Sequence, residues 1–192
     1  MTTTVKHLSK QELETGLQAI AASPQNEGVL EMIVRRPRAG VREVLEEGEL
    51  DAAHGLVGDT WRFRRSSRTD DGSPHTDMQL TLMNSRVISL IAQDEARWPL
   101  AGDQLYVDLD LTTDNLPPGT QLGVGTAIIE VTAQPHTGCG HFVARFGVDA
   151  MKVVNSPQGR RLHLRGIYAR VVRPGVVHVG DRVSKIPQSA AP

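Results

Sequence analysis

The stretch Gln134-Pro135-His136-Thr137-Gly138-Cys139-Gly140-His141-Phe142 joins a strand-like segment to a helix-like segment and carries the chain's single cysteine. Before it, the β-branched run 127–132 predicts a strand, which Pro135 ends. After it, residues 142–154 place apolar side chains at helical intervals. We therefore expect Cys139 at or near a helix N-terminus, where unpaired N–H groups and the helix dipole favour the thiolate form of a cysteine.

The neighbours of Cys139 indicate a reactive rather than a structural role. A lone cysteine is most often a small buried hydrophobic residue. Here it stands between Gly138 and Gly140, next to Thr137 and with two histidines close by. Such a flexible polar turn is a poor place for a core residue. His136 can promote the thiolate, either as a base that takes the thiol proton or as an imidazolium beside the sulfur.

Composition narrows the class of protein. A chain of 192 residues fits one domain, or one domain with extensions, and can bury a substantial core. A net charge of −1 gives no reason to expect a nucleic-acid partner, and no apolar run reaches the length of a membrane span. Residues 1–6 lack the apolar core of a signal peptide. One cysteine cannot form an intramolecular disulfide, which suits the reducing cytoplasm.

The rest of the chain predicts a mainly β fold. Ser9 and Glu12 form a capping box for an N-terminal helix, and Asn84 caps a second helix. Strands are predicted at 29–36, 41–45, 61–64, 77–83, 105–111, 127–132, 167–172 and 176–179, the last two as a hairpin. Many short strands broken by glycine and proline, with about three helices, indicate a closed or nearly closed β-barrel. We divide the chain into a helical extension (1–26), a barrel domain (27–186) and a flexible tail (187–192).

Two further groups of residues have side chains suited to binding an anion or a metal ion. An arginine cluster precedes the polar loop 69–74 and either meets solvent or holds a phosphate or sulfate group; it consists of Arg62, Arg64, Arg65 and Arg68. The spacing His136-x-x-Cys139-x-His141 offers three ligands suited to zinc, and this alternative site would support a hydrolase or lyase. A fourth ligand would come from a distant histidine: His54, His75 or His163.

Seven spaced motifs recur in an order known from one family. They are 108–111, 115–119, 135–139, 144–150, 155–157, 165–167 and 179–181. Together they resemble the stand-alone MOSC domain family, named after the C-terminal domain of molybdenum-cofactor sulfurases. The match runs from about Val29 to Ile186. It includes an early Gly-Asp turn at 55–59, although Trp61 stands where many members have a histidine. The helix at 9–22 lies outside it.

The resemblance implies a β-barrel with one functional cysteine, here Cys139. In the wider family that thiol is proposed to carry sulfur as a persulfide, and in the amidoxime-reducing members it ligates the molybdenum of the bound cofactor. The leading interpretation is therefore a sulfur transferase or a molybdenum-cofactor-dependent, reductase-like protein, with a small-molecule or cofactor ligand and a sulfur-donor protein as partners. The candidate cofactor-binding residues are Arg145, Arg165, Thr137, Asn84 and Asp59. A third alternative is a non-catalytic barrel for a small ligand, in which the cysteine is incidental.

Overall fold

The computed structural model describes residues 6–187 of the chain, so residues 188–192 of the predicted tail lie outside the described residues. Four α-helices and eleven strands lie in this part, together with three short 3-10 helices. In chain order they are α1 (Lys10–Ala21), β1 (Glu27–Arg35), β2 (Glu43–Leu45), β3 (Glu47–Asp51), β4 (Gly55–Leu56), β5 (Leu80–Asn84), α2 (Ser85–Ala92), β6 (Leu105–Asp108), β7 (Gln121–Val124), β8 (Ala127–Val131), α3 (Gly140–Asn155), α4 (Pro157–Arg161), β9 (Ile167–Arg173), β10 (Gly175–His178) and β11 (Arg182–Lys185).

Seven strands close into a barrel, which confirms the predicted fold. The order around it is β11-β7-β8-β9-β5-β6-β1, and pairing of β1 with β11 closes the ring. Neighbouring strands are antiparallel except β5 and β6, which α2 connects because parallel strands need a crossover. Strand β2 extends the sheet beyond β1, and β10, β3 and β4 form a separate small sheet. No helix in the described part of the chain is long and apolar enough to cross a membrane.

Successive side chains of a strand point to opposite faces of the sheet, so apolar residues form one core inside the barrel and a second core between the barrel and the helices. On β6, Leu105 and Val107 point into the barrel, whereas Tyr106 points outward between the barrel wall and the helices. The alternation of apolar residues with Tyr106, Asp108 and Asp110 in the sequence predicts that the outward face of this strand meets water, but Tyr106 is fully buried there. Its hydroxyl donates a hydrogen bond to the carbonyl oxygen of Trp98 at 2.7 Å, which satisfies the buried polar group.

One predicted strand and one predicted hairpin are wrong, for identifiable reasons. The segment Trp61–Phe63 is a 3-10 turn and not a strand, because the Asp59 carboxylate accepts a hydrogen bond from the Trp61 N–H two residues further on, an arrangement typical of turns. Strands β9 and β10 do not form the predicted hairpin; β10 pairs with β3 instead. Only Pro174 separates β9 from β10, and one residue is too short to return an antiparallel strand beside its predecessor.

Helix α1 is fixed to the outside of the barrel. Its predicted capping box is present, with Ser9 and Glu12 exchanging hydrogen bonds. Its apolar face buries Leu13, Leu17 and Ile20 in the outer core, and α1 packs on both α2 and α3. The helix outside the family motifs therefore contributes to the core that supports α3.

We predict that Leu13→Ala lowers the free energy of unfolding of the whole protein by about 2–5 kcal/mol, because Leu13 is 1% exposed and its removal leaves a cavity. The measurement is urea denaturation followed by circular dichroism. The matched control is Gln18→Ala on the exposed face of α1, which should stay within about 0.5 kcal/mol of the wild type. Equal stabilities of the two variants would mean that α1 is only loosely attached.

Candidate functional site

Cys139 occupies the N-cap position of α3, as predicted. Its backbone is extended (φ −123°, ψ −179°), and its carbonyl oxygen accepts hydrogen bonds from the N–H groups of Phe142 and Val143. Its side chain makes no capping hydrogen bond, and the residue is exposed. The sulfur is thus accessible and lies at the positive end of the helix dipole, where an anion is stabilised.

Hydrogen bonds join Gly138, just before α3, to Asn155, the last residue of α3, and they fix the turn that precedes Cys139. The Asn155 side chain accepts a hydrogen bond from the Gly138 N–H at 2.9 Å and donates one to the Gly138 carbonyl oxygen at 3.1 Å. In a straight helix these residues would lie about 25 Å apart. They meet because α3 bends at Gly147, whose φ of 88° suits glycine. We call this pair of hydrogen bonds the Asn155 clamp.

A cavity of about 610 Å³ opens beside Cys139. Its walls come from the ends of β1, β5 and β9, the first turn of α3, and the loop before residue 76. Six arginines line it: Arg36, Arg42, Arg64, Arg65, Arg145 and Arg165. Three histidines, His75, His136 and His141, line it as well, and no carboxylate of the described residues does. The cavity is therefore strongly electropositive.

Two of the arginines are held in place by buried carboxylates behind the cavity wall. Arg36 forms a bidentate pair with Asp59 at 2.7 and 2.8 Å, and Arg165 donates to Asp103 at 2.7 Å. Burial raises the pKa of Asp59, but the hydrogen bonds and charge of Arg36 outweigh this and hold the pKa below its usual range. Arg165 also donates to the carbonyl oxygen of Ala101 at 3.0 Å.

The other four arginines have no carboxylate partner within residues 6–187. They are Arg42, Arg64, Arg65 and Arg145. Burial lowers the pKa of Arg42, and the charges of Arg145 and Arg36 lower it further. Burial, followed by the charge of Arg36, also lowers the pKa of Arg64. The Nε of Arg42 is a buried donor without an acceptor in the described structure. This crowding of like charges is relieved when an anion enters the cavity.

His136 is held as a neutral imidazole. Its side chain is 8% exposed, and its ring lies 4.5 Å from that of Tyr168, centroid to centroid. Burial lowers its pKa well below the usual value, and the charges of Arg165 and Arg36 add to the effect. Its Nδ1 lies 3.7 Å from Oδ1 of Asp103. A neutral imidazole beside the cavity can accept a proton or a hydrogen bond from a bound ligand.

The structure brings only part of the predicted site together. Cys139, His136, His141, Arg145 and Arg165 all line the cavity. Among residues 6–187 no three His, Cys, Asp or Glu side chains form a group that could hold a metal ion, so the proposed His136–Cys139–His141 ligand set is not assembled.

The remaining predicted site residues lie elsewhere. Thr137 lines a second cavity of about 290 Å³. Asn84 is buried, where it caps α2 and donates to Ser23 and to the carbonyl oxygen of Leu109. Asp59 does not line the cavity, and it supports the site by accepting hydrogen bonds from Arg36. Asn84 and Asp59 therefore support the fold around the site without lining the cavity.

Sequence reasoning missed Asp103, Arg36, Arg42 and Tyr168 as site residues. They come from three separate segments, and none stands in a motif with a local chemical signature. The arginine cluster was noticed, and two of its members, Arg64 and Arg65, do line the cavity. Of the others, Arg68 donates to the Gln134 side chain at 2.6 Å and links this loop to the cysteine turn. The sequence feature that could have marked Asp103 is a polar residue shortly before a buried strand. Polar residues also occupy this position in ordinary turns, so the feature is not specific.

Comparison with known proteins identifies the family. The MOSC domain family matches residues 77–184, more than half of the chain, and the chain belongs to this family. MOSC domains are associated with proteins of molybdenum-cofactor chemistry. No functionally curated protein matches the sequence significantly.

Solved structures agree with the fold. YuaD from Bacillus subtilis is 18% identical with a TM-score of 0.54, over 82% of this chain and 94% of that chain. YiiM from Escherichia coli is 17% identical with a TM-score of 0.53, over 85% of this chain and 72% of that chain. At these identities the likeness concerns the fold alone.

We predict that burial of neutral His136 makes the protein less stable as pH falls. Because the pKa of the ring is lowered in the folded state, only the unfolded chain takes up its proton just below about pH 6.5. Stability should therefore fall between about pH 7 and pH 5, by up to about 1.4 kcal/mol per pH unit from this residue. His136→Gln should show a shallower slope in urea denaturation, whereas Gln18→Ala, which changes no titratable group on the exposed face of α1, should keep the wild-type slope. Parallel slopes for all three proteins would contradict the prediction.

Proposed function

We propose that this protein binds the molybdenum cofactor in the arginine-lined cavity, with Cys139 as the ligand of the metal and a reductase-like activity. The observation that carries the proposal is the exposed thiol at a helix N-terminus beside a cavity with six arginines and, within the described chain, no lining carboxylate. Family membership supplies the kind of cofactor. A volume of about 610 Å³ lies in the range of cofactor sites, about 300–1,000 Å³.

The residues present fit this group. The cofactor carries a phosphate, and arginine binds phosphate through paired hydrogen bonds with favourable geometry. The buried Nε of Arg42 without an acceptor is a donor of this kind. Arg64, Arg65 and Arg145 supply further positive charge that no carboxylate of residues 6–187 neutralises. Cys139 would supply a sulfur ligand from the N-cap position of α3, and a thiol that coordinates a metal is deprotonated by it.

Each side chain then has a distinct task. When bound, the cofactor supplies two-electron chemistry at its metal. Arg42 and Arg145 hold its negative charges, and Cys139 anchors the metal end. His136 exchanges a proton with the substrate, because it is neutral and lines the cavity. The guanidinium of Arg165 stacks on the ring of Phe142, with its Cζ 5.1 Å from the ring centroid, and both residues line the cavity.

The test is the metal content of protein purified from cells that make the cofactor. Wild type should contain molybdenum and pterin near one equivalent per chain. Cys139→Ser should lose most of the molybdenum, and Arg42→Gln should retain several-fold less pterin phosphate because a positively charged donor that lines the cavity is gone. Arg182→Gln, an exposed arginine on β11, is the control and should match the wild type. Absence of molybdenum and pterin from the wild type would overturn the cofactor proposal.

A second candidate is a sulfur carrier, which the exposure of Cys139 favours. The thiolate of Cys139 would attack the outer sulfur of a donor persulfide, forming a Cys139 persulfide and releasing the donor thiolate, so that no oxidant is needed. A protein donor can reach an exposed sulfur at a helix N-terminus, and the arginines would stabilise the persulfide anion. This role suits the reducing cytoplasm, where the thiol stays free.

Intact-mass spectrometry tests the carrier role. Incubation with a cysteine-derived persulfide donor should add one sulfur atom to the wild type and none to Cys139→Ser, and dithiothreitol should remove it. Arg145→Gln should show slower loading because positive charge near the thiol is reduced. If the wild type gains neither sulfur nor cofactor, the cysteine is incidental and the barrel binds another small ligand.

A further inference from the structure

Two buried polar atoms face each other behind the cavity wall without a hydrogen bond. They are Oδ1 of Asp103 and Nδ1 of His136, which are 3.7 Å apart. Both side chains are nearly inaccessible, at 0% and 8% exposure. Buried polar atoms almost always have a partner in folded proteins, so an unpartnered donor and acceptor at this distance require an explanation.

Asp103 and His136 each have a further contact that restrains the side chain, and Oδ1 of Asp103 and Nδ1 of His136 are left facing each other. The second oxygen of Asp103, Oδ2, accepts a hydrogen bond from Arg165, and Arg165 is itself fixed by the carbonyl oxygen of Ala101. On the other side, the ring of Tyr168 lies against the imidazole with a tilt of 40°. An approach of less than about 1 Å brings Nδ1 and Oδ1 within normal hydrogen-bonding distance.

We propose that Asp103 is a positioning residue, whose Oδ1 accepts a hydrogen bond from the Nδ1–H of His136 and so directs the unprotonated Nε2 to the ligand at Cys139. The arrangement follows from atom types: a carboxylate only accepts, so the facing nitrogen must carry the proton. In a neutral imidazole the other nitrogen then has the lone pair. Nε2 is not among the buried unpartnered atoms, and His136 lines both the arginine-lined cavity beside Cys139 and the second cavity beside Thr137.

This inference rests on the proposed function, because it assigns His136 a task toward the ligand of Cys139. It differs from the simpler role in which Asp103 only balances the charge of Arg165. In that case the tautomer of His136 would not depend on the carboxylate. A substitution that keeps the size of Asp103 but adds a donor therefore separates the two roles, since an amide nitrogen facing Nδ1 favours the opposite tautomer.

The experiment is a long-range ¹H–¹⁵N correlation spectrum of the full-length protein with ¹⁵N-labelled histidine, in which His136→Gln identifies the His136 signals by their loss. Wild type should show Nδ1 protonated and Nε2 unprotonated. Asp103→Asn should reverse this pattern, whereas Arg165→Gln, which retains the carboxylate, should preserve it. Asp114→Asn, at an exposed carboxylate, is the control and should leave the spectrum unchanged.

The outcomes separate this inference from the cofactor proposal. A wild-type spectrum with Nε2 protonated overturns the positioning role even if Asp103→Asn does not fold, and so does an unchanged tautomer in folded Asp103→Asn. Molybdenum content, measured on the same wild-type preparation, reports on the cofactor independently. The expected tautomer without molybdenum would leave the role of Asp103 intact as a structural finding and reject the cofactor as the ligand.

Discussion

The ion pair between Arg165 and Asp103 organises the base of the site. Arg165 stands shortly before β9 and Asp103 shortly before β6, so their contact joins the segments that lead into the two strands on either side of β5. The same guanidinium lies over the ring of Phe142 in the first turn of α3. Because both charges are buried, removal of either one would leave the other without compensation. The pair therefore fixes the position of α3 relative to the barrel.

The cavity above this pair has more positive charge than the fold requires. Arg36 and Arg165 have buried carboxylate partners, and both contribute to the structure of the wall. Arg42, Arg64, Arg65 and Arg145 have none within the described chain, and neighbouring arginine charges add to burial in lowering the pKa of Arg42 and of Arg64. Proteins commonly retain such unfavourable arrangements at sites that bind ligands of the opposite charge. The arginines without carboxylate partners therefore disfavour the folded state at this end of the barrel, while the same charges would favour the binding of an anion.

The barrel and the place of Cys139 were predictable from the sequence because both depend on local patterns. Strand alternation, turn residues and the proline and glycine pattern around Cys139 each act within a few residues. The position of Tyr106 was misjudged, because alternation distinguishes two faces but does not reveal that helices cover the outer one. The pairing of β10 with β3, and the contact of Asp103 with His136, join segments far apart in the chain. No local pattern encodes such contacts.

The Asn155 clamp constrains the number of residues in α3. Gly138 and Asn155 are joined by two hydrogen bonds at the open ends of a bent helix, so the intervening segment forms a closed loop. Each residue advances an α-helix by about 100°. One inserted or deleted residue in either half would therefore turn the Asn155 amide away from Gly138 and release the turn that carries the thiol. Related sequences that retain this device should vary in the side chains of α3 but not in its length.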